Sequence, residues 1–139
     1  MTEMKSTALR VLIVDDYALL RNEIRQMLGK DEELEVVGEA GDGQAAIAAA
    51  TELRPDLIIM DVAMPELSGI EAARRIVAAQ PDVKIVALSQ YDDKRLVADM
   101  LRAGARAYVL KDEVYDDLRP AVEAVAAGRT YLGKGVPTS

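Results

Sequence analysis

Five polar residues each stand where a short apolar run of the sequence ends. Asp15 and Asp16 follow one run, Asp61 follows a second, and Ser89 and Lys111 end two more further along the chain. If these runs are parallel strands, their carboxyl ends meet at one edge of a sheet, which is where ligands bind in open α/β folds. Three acids at one edge repel one another and have raised pKa values unless a cation lies among them. An all-oxygen cluster with room for water favours Mg²⁺, so the sequence predicts a magnesium site here.

Asp61 is the best-placed nucleophile among these acids. It ends the apolar run of residues 57–60, which predicts the central strand, and the turn that follows leaves its carboxylate exposed. A carboxylate at such a position can attack phosphorus and form an acyl phosphate. Asp15 and Asp16 then serve the metal, while Ser89 and Lys111 can contact the phosphoryl oxygens as a hydrogen-bond donor and as a cation.

Short β-branched runs alternate with longer stretches of helical period, which is the pattern of βα units with a parallel sheet covered on both faces. Ser68, with Glu71 at the capping-box offset, predicts a helix start, and Gly29 and Gly104 stand at predicted helix ends. Five such repeats predict one doubly wound α/β domain. The predicted strands are residues 10–14, 34–40, 57–60, 84–88 and 107–110, and the predicted helices are residues 17–28, 43–53, 68–79, 92–103 and 114–127.

The composition limits the chemistry available to this chain of 139 residues. It contains no cysteine and no histidine, which excludes disulfides, thiolate metal sites and imidazole bases. A hydrophobic fraction of 50% is enough for one packed core, and without Phe or Trp that core must be mainly aliphatic. The net charge of −7 argues against direct binding of nucleic acid. The sequence shows no signal peptide and no membrane-spanning run, so we expect a cytoplasmic protein without membrane contact.

Four segments of the sequence together resemble the receiver domains of bacterial two-component response regulators. Their letters are VLIVDD at residues 11–16, MDVAMPELSG at 60–69, IVALS at 85–89 and GARAYVLK at 104–111, in the order and spacing of that family. The resemblance implies a flavodoxin-like fold, which is a three-layer sandwich with a five-stranded parallel sheet of order 2-1-3-4-5 and five helices.

The same resemblance implies a phosphorylation site and its metal. Asp61 is the phosphoacceptor for a sensor histidine kinase, and the Mg²⁺ ligands are Asp15, Asp16, Asp61 and the carbonyl of Ala63. A receiver of this kind phosphorylates and dephosphorylates itself only weakly. It is therefore expected to be a signalling domain rather than an enzyme.

The resemblance also implies a switch. Ser89 and Tyr108 respond to the phosphoryl group, with Tyr108 as a rotating aromatic side chain, and Lys111 partners a phosphoryl oxygen.

Residues 9–128 are the predicted receiver domain, and residues 129–139 are predicted as a linker or frayed tail because they are rich in Gly, Pro, Thr and Ser. The letters AAGRTYL at 126–132 are similar to the NarL/LuxR-type subfamily. That similarity implies transcription regulation, a phosphorylation-dependent homodimer, and DNA contact only through a helix-turn-helix output domain that is not in this chain. The sequence leaves open whether the chain is a stand-alone receiver or part of a longer regulator.

Three other functions fit parts of the pattern. A haloacid-dehalogenase-like phosphohydrolase also forms an aspartyl phosphate, but it carries a second Asp two residues after the nucleophile, where this sequence has Ala63. A flavodoxin needs hydroxyls and amides in its phosphate loop, and Asp15 and Asp16 would repel the cofactor phosphate there. A pseudo-receiver that only binds partners is disfavoured because every expected site residue is present.

Several site residues also have an ordinary structural explanation. Asp15 and Asp16 could cap the helix that follows them, and Tyr108 could be a packing residue with a hydrated hydroxyl. The acids between residues 112 and 117 are predicted as a solvated helix start, which the helix dipole favours.

The lifetime of an acyl phosphate depends on how easily water reaches phosphorus. The side chains two residues past Asp61 and two past Ser89, which are Ala63 and Tyr91, border that approach. Ala63 has no polar group to orient a water, and Tyr91 is large enough to cover the phosphorus, so slow self-dephosphorylation is predicted. The alternative is that Tyr91 points to solvent and that Ala63 is a permissive turn residue.

Overall fold

Strands and helices alternate along the whole described chain. The structure is a computed structural model that describes residues 8–137. The strands are β1 Leu9–Val14, β2 Leu34–Ala40, β3 Leu57–Asp61, β4 Lys84–Ser89, β5 Ala107–Leu110 and β6 Tyr131–Leu132. The helices are α1 Ala18–Leu28, α2 Gly43–Leu53, α3 Gly69–Ala79, α4 Lys94–Arg102 and α5 Val114–Ala126, and one turn of 3-10 helix, Lys111–Glu113, precedes α5.

The sheet has the strand order β2-β1-β3-β4-β5-β6, and every pairing in it is parallel. This confirms the predicted flavodoxin-like α/β fold and the order 2-1-3-4-5 of its first five strands. The central strands are apolar throughout because both of their faces are covered by helices, as expected of a parallel sheet.

The two faces of the sheet contribute to two separate cores. In β1, Leu12 and Val14 pack with buried residues of α2, α3 and α4, whereas Val11 and Ile13 pack with those of α1 and α5. This alternation follows from the two-residue side-chain period of a strand. The result is the expected three-layer arrangement, in which all loops at the carboxyl ends of the strands lie at one edge.

Side chains cap the starts of α3 and α4. Ser68 accepts a hydrogen bond from the amide of Glu71 and is the N-cap of α3, as predicted. Asp93 accepts hydrogen bonds from the amides of Arg95 and Leu96. Because Asp93 is the N-cap, α4 begins at Lys94 rather than at residue 92.

The predicted tail is part of the folded domain. Tyr131 and Leu132 form β6 at the edge of the sheet, opposite Ala107 and Tyr108 of β5. The amide of Gly133 then donates to the carbonyl of Tyr108 at 2.9 Å. The first described residues after α5 are therefore not a frayed end. A two-residue strand has no alternation of its own in the sequence, which is why the pattern did not predict it.

The acidic stretch at the start of α5 is only partly solvated, which corrects the prediction for one residue. Asp117 is fully buried. Its carboxylate accepts hydrogen bonds from the hydroxyl of Tyr131 at 3.0 Å and from the amide of Lys134 at 3.1 Å. These donors lie outside the helix, so a buried acid here is satisfied by the segment that crosses it.

Among the described residues, no helix has the length and apolar character to cross a bilayer.

Candidate functional site

Three aspartates meet where β1 and β3 end. One carboxylate oxygen of each of Asp15, Asp16 and Asp61 lies within 4.8 Å of the other two. Asp61 is the last residue of β3, and Asp15 follows β1 directly, so the two central strands place these two carboxyl groups next to each other. Asp61 is buried, so the expectation of an exposed carboxylate after β3 is wrong, because the loops around the site cover it. Asp15 is buried as well and Asp16 is exposed, which gives the cluster one side open to solvent.

Lys111 supplies the cation of the cluster. Its Nζ lies 2.8 Å from Asp15 Oδ2 and 3.2 Å from Asp61 Oδ2. Burial lowers the pKa of Lys111, but the two carboxylates raise it by more, so that the pKa is above its ordinary value and the side chain stays charged. The contacts are ionic rather than well-aligned hydrogen bonds, and neither carboxylate oxygen accepts a hydrogen bond from another described group.

Asp61 is held in an electrostatically unfavourable position. Burial raises its pKa, and the charge of Asp15 raises it further. Lys111 and the amide of Ala63, which donates to Asp61 Oδ1 at 3.2 Å, act in the opposite direction. The net pKa is about 6. A cation in addition to Lys111 would therefore stabilise the ionised form.

The donor set fits Mg²⁺. Three carboxylates on one open-sided cluster offer only oxygen, and among the described groups two of their buried oxygens are met by the Lys111 ammonium alone. Mg²⁺ is bound by one or a few carboxylates together with water and phosphate oxygens. The alternative that Asp15 caps the following helix is wrong, because Tyr17 is the N-cap of α1 and Asp15 Oδ1 accepts from the amide of Tyr17 itself at 2.8 Å, just before the helix begins. The other oxygen, Oδ2, remains directed into the cluster.

A solvent-accessible cavity of about 350 Å³ opens above the cluster. The predicted residues Asp16, Asp61, Ala63, Tyr91 and Lys111 line it. Tyr17, Leu20 and Gln90, which were not predicted, also line it. Tyr17 and Gln90 adjoin predicted site residues in the sequence and Leu20 lies in the first turn of α1, but nothing in the types of these residues indicated chemistry.

Ser89 and Tyr108 meet at the loop between β4 and α4. Ser89 Oγ accepts from the amide of Tyr91 at 2.9 Å, and the hydroxyl of Tyr108 donates to the carbonyl of Tyr91 at 3.0 Å. Both side chains form a hydrogen bond with the backbone of Tyr91, so a movement of Ser89 that shifts this backbone would also change the hydrogen bond of Tyr108. The ring of Tyr108 is fully buried. The ring is thus already inside the protein in this structure, and a rotation that moves it inward would have to start from a conformation in which the ring is more exposed.

Comparison with known proteins decides the family. The family model described as the response regulator receiver domain matches residues 11–123. The chain belongs to the response regulator receiver family. The chain is 43% identical over 129 residues to the transcriptional regulatory protein YxjL of Bacillus subtilis (strain 168). The aligned region covers 93% of this chain and 59% of that protein.

Solved structures give the same result. A two-component response regulator of the LuxR family from Aurantimonas sp. SI85-9A1 superposes with a TM-score of 0.88 at 29% identity, covering 93% of this chain and 92% of that one. The isolated receiver domain of RcsB from Salmonella enterica, in the presence of the phosphomimetic BeF3⁻, has a TM-score of 0.86 at 27% identity, with 93% and 96% covered. RcsB has also been solved as two dimers bound to two parallel DNAs, with a TM-score of 0.84, 27% identity, and 93% and 66% covered.

The receiver spans a little over half the length of the curated relatives it matches. Those relatives are transcriptional regulators and response regulators by name. The known part of the relationship is thus the receiver domain itself.

Gly69 is the residue that lets α3 begin directly against the site. A Cβ at Gly69 would lie 1.9 Å from the carbonyl oxygen of Asp61. We expect Gly69→Ala to push the end of β3 aside and to lower the free energy of unfolding by about 3 kcal/mol. Gly128→Ala is the matched control, because Gly128 has a φ of +87° with nothing within 4 Å of an added Cβ. It should cost only about 1 kcal/mol. Urea midpoints that fall equally in both variants would contradict this role of Gly69.

Proposed function

We propose that this receiver accepts a phosphoryl group on Asp61 from a phosphohistidine of a sensor histidine kinase, in the presence of Mg²⁺, and thereby controls transcription. The observation that carries the proposal is the placement of Asp61. Its carboxylate lies at the floor of an open cavity, beside two further acids and in contact with the ammonium of Lys111.

The site can assist the phosphoryl transfer by holding the reacting groups in place and by neutralising negative charge on the phosphoryl oxygens. An oxygen of Asp61 forms a bond to phosphorus while the bond between phosphorus and the imidazole nitrogen of the kinase breaks, and that nitrogen keeps the electron pair. Lys111 is close enough to pair with a phosphoryl oxygen after releasing one of its carboxylate contacts. Ser89 supplies a hydroxyl to another oxygen once it leaves the Tyr91 amide.

The residues proposed to hold Mg²⁺ are Asp15, Asp16 and Asp61, with the carbonyl of Ala63. When bound, Mg²⁺ neutralises charge on the carboxylates and on the phosphoryl oxygens. This is supported by the carboxylate cluster and by the raised pKa of Asp61, which burial and the neighbouring Asp15 cause.

Phosphorylation is tested by the intact mass of the protein after incubation with acetyl phosphate. We expect a gain of one phosphoryl group that requires Mg²⁺ and is lost on treatment with hydroxylamine, as for an acyl phosphate. Asp61→Asn should show no gain. Modification of Asp61→Asn to the wild-type extent would overturn the assignment of the phosphoacceptor.

The proposed output is a change of surface. Displacement of Ser89 toward the phosphoryl group would change its contact with the Tyr91 segment and so the packing of Tyr108. We propose that this controls a homodimer in the cytoplasm, and that DNA is contacted only through an output domain outside this chain. RcsB, which has been solved as dimers on DNA, supports this outcome.

We further propose that Ala63 and Tyr91 set a long phosphoryl lifetime, and that the receiver catalyses its own phosphorylation and dephosphorylation only weakly. Both residues line the cavity, and Tyr91 is 44% exposed with its hydroxyl held by Gln90. The double variant Ala63→Asn/Tyr91→Glu can orient a water, so its loss of phosphate after removal of acetyl phosphate should be faster by up to about 100-fold. Tyr17→Glu, which adds an acid at the same rim, is the control and should change the rate little. A double variant that decays at the wild-type rate would rule out these two positions.

A further inference from the structure

Arg21, on the first turn of α1, reaches back to the loop that carries two of the proposed metal ligands. Its Nη1 donates to the backbone carbonyl of Asp15 at 2.5 Å. Its Nε donates to Glu39 Oε1 of β2 at 2.9 Å. The side chain is only 19% exposed, so the guanidinium has a fixed place between the loop and the strand.

Glu39 is a firm anchor for this guanidinium. Its second oxygen accepts from Nε of Arg25 at 2.6 Å. Partial burial raises the pKa of Glu39, but the hydrogen bonds and charges of Arg25 and Arg21 lower it by more, and the net pKa is below its ordinary value. Glu39 therefore stays ionised at neutral pH. The planar fork of Arg21 is thus held by an acid on one side while it binds the Asp15 carbonyl on the other.

The loop has two other backbone constraints. The amide of Asp15 donates to the carbonyl of Ala40 at 3.1 Å, and the amide of Tyr17 donates to the carboxylate of Asp15 at 2.8 Å. Neither of them is made to a polar atom of the peptide unit between Asp15 and Asp16. Arg21 binds the carbonyl oxygen of that unit directly.

We propose that Arg21 is a positioning residue for the metal site, which holds the Asp15–Asp16 peptide so that both carboxylates face the cluster with Asp61. The inference rests on the proposed binding of Mg²⁺. Arg21 touches neither the proposed ion nor the phosphoryl group; it acts through the backbone of Asp15. Partners of this kind behind a metal ligand change metal affinity by about 10- to 100-fold when they are removed.

The direction in which Mg²⁺ affinity changes when Arg21 is removed distinguishes a positioning role of Arg21 from an effect of its charge alone. Arg21 is a cation near a cluster of acids, so its charge alone weakens the binding of another cation, and its removal would then strengthen Mg²⁺ binding. Positioning predicts the opposite. Arg25 provides the matched control, because it shares Glu39 and the same helix but makes no hydrogen bond to the loop.

The experiment compares Arg21→Met, Arg21→Lys and Arg25→Met in the intact chain by titration with Mg²⁺, followed through the backbone amide shifts of Asp15, Asp16 and Tyr17. We expect Arg21→Met to weaken Mg²⁺ binding by about 10-fold or more, Arg21→Lys to restore it in part, and Arg25→Met to bind like the wild type. In metal-free protein, the Tyr17 amide should exchange with solvent faster in Arg21→Met than in Arg25→Met, since its acceptor is the carboxylate of Asp15.

Three results would count against the proposal. Equal Mg²⁺ affinities and equal Tyr17 exchange in Arg21→Met and Arg25→Met would show that Arg21 only ties α1 to β2. Tighter Mg²⁺ binding in Arg21→Met would show that only its charge matters. If the wild type itself does not bind Mg²⁺, the metal site of the proposed function is overturned together with this inference, whereas the first two results leave that function standing.

Discussion

Replacing Lys111 by methionine is expected to slow phosphorylation of Asp61 by acetyl phosphate by about 100-fold or more. Lys111 is the cation that touches both Asp15 and Asp61, and no other described Lys or Arg side chain forms an ion pair with either acid. Without Lys111, the positive charge that neutralises the negative charge on the phosphoryl oxygens during transfer is missing. The initial rate, followed by intact mass at saturating Mg²⁺, measures this effect separately from metal binding.

The same substitution should destabilise the metal-free fold. Two buried carboxylates are left without their counter-charge, which we expect to cost about 2 kcal/mol, since part of the loss is relieved by protonation of Asp61. Lys111→Arg is the control because it retains a cation, and it should keep more of both the stability and the rate. A Lys111→Met variant that is phosphorylated at the wild-type rate would remove Lys111 from the transfer step.

Asp61→Asn is expected to have the opposite effect on stability. Burial raises the pKa of Asp61, and the charge of Asp15 raises it further, from 3.8 to about 6. Between these two pH values the folded protein keeps a proton that the unfolded chain has released, so the contribution of Asp61 to stability falls as the pH rises through this window. At neutral pH in EDTA, the ionised Asp61 therefore opposes folding. Its replacement by the neutral amide should stabilise the protein by about 2 kcal/mol, allowing for screening by solvent in the cavity.

The test is the difference in urea midpoint between the wild type and Asp61→Asn, measured at several pH values from 4 to 7. The pH range follows from the pKa of Asp61, which is raised from 3.8 to about 6. The stabilisation should be small at the acid end, grow as the pH rises toward about 6, level off above that value, and shrink when Mg²⁺ is added at neutral pH. Taking the difference removes the contribution of Glu39, whose lowered pKa gives the opposite trend. A stabilisation that is independent of pH would contradict the electrostatic explanation.

The pattern of apolar and polar residues along the chain was enough to predict the architecture and the residues at the centre of the site. Alternating faces in β1 and the uniformly apolar β3 require helices on both sides, and parallel strands bring their carboxyl ends to one edge. The position of Asp61 at the end of such a strand, with Asp15 directly after another, was therefore sufficient to predict that they meet. The family motifs added the switch residues and their proposed roles, which local pattern alone did not supply.

The hydrogen bonds between polar groups of distant segments could not be predicted from the sequence and became visible only in the folded protein. Asp117 has the sequence context of a solvated helix start, yet it is buried because Tyr131 and the backbone of Lys134 lie across it. Arg21 donates both to the Asp15 carbonyl and to the carboxylate of Glu39, which lies on the neighbouring strand β2. Such hydrogen bonds depend on distances across the fold rather than on the spacing of residues in the chain. For that reason hydrophobic periodicity predicts where the elements lie, whereas the pairing of buried charges and backbone groups is fixed only when those elements pack.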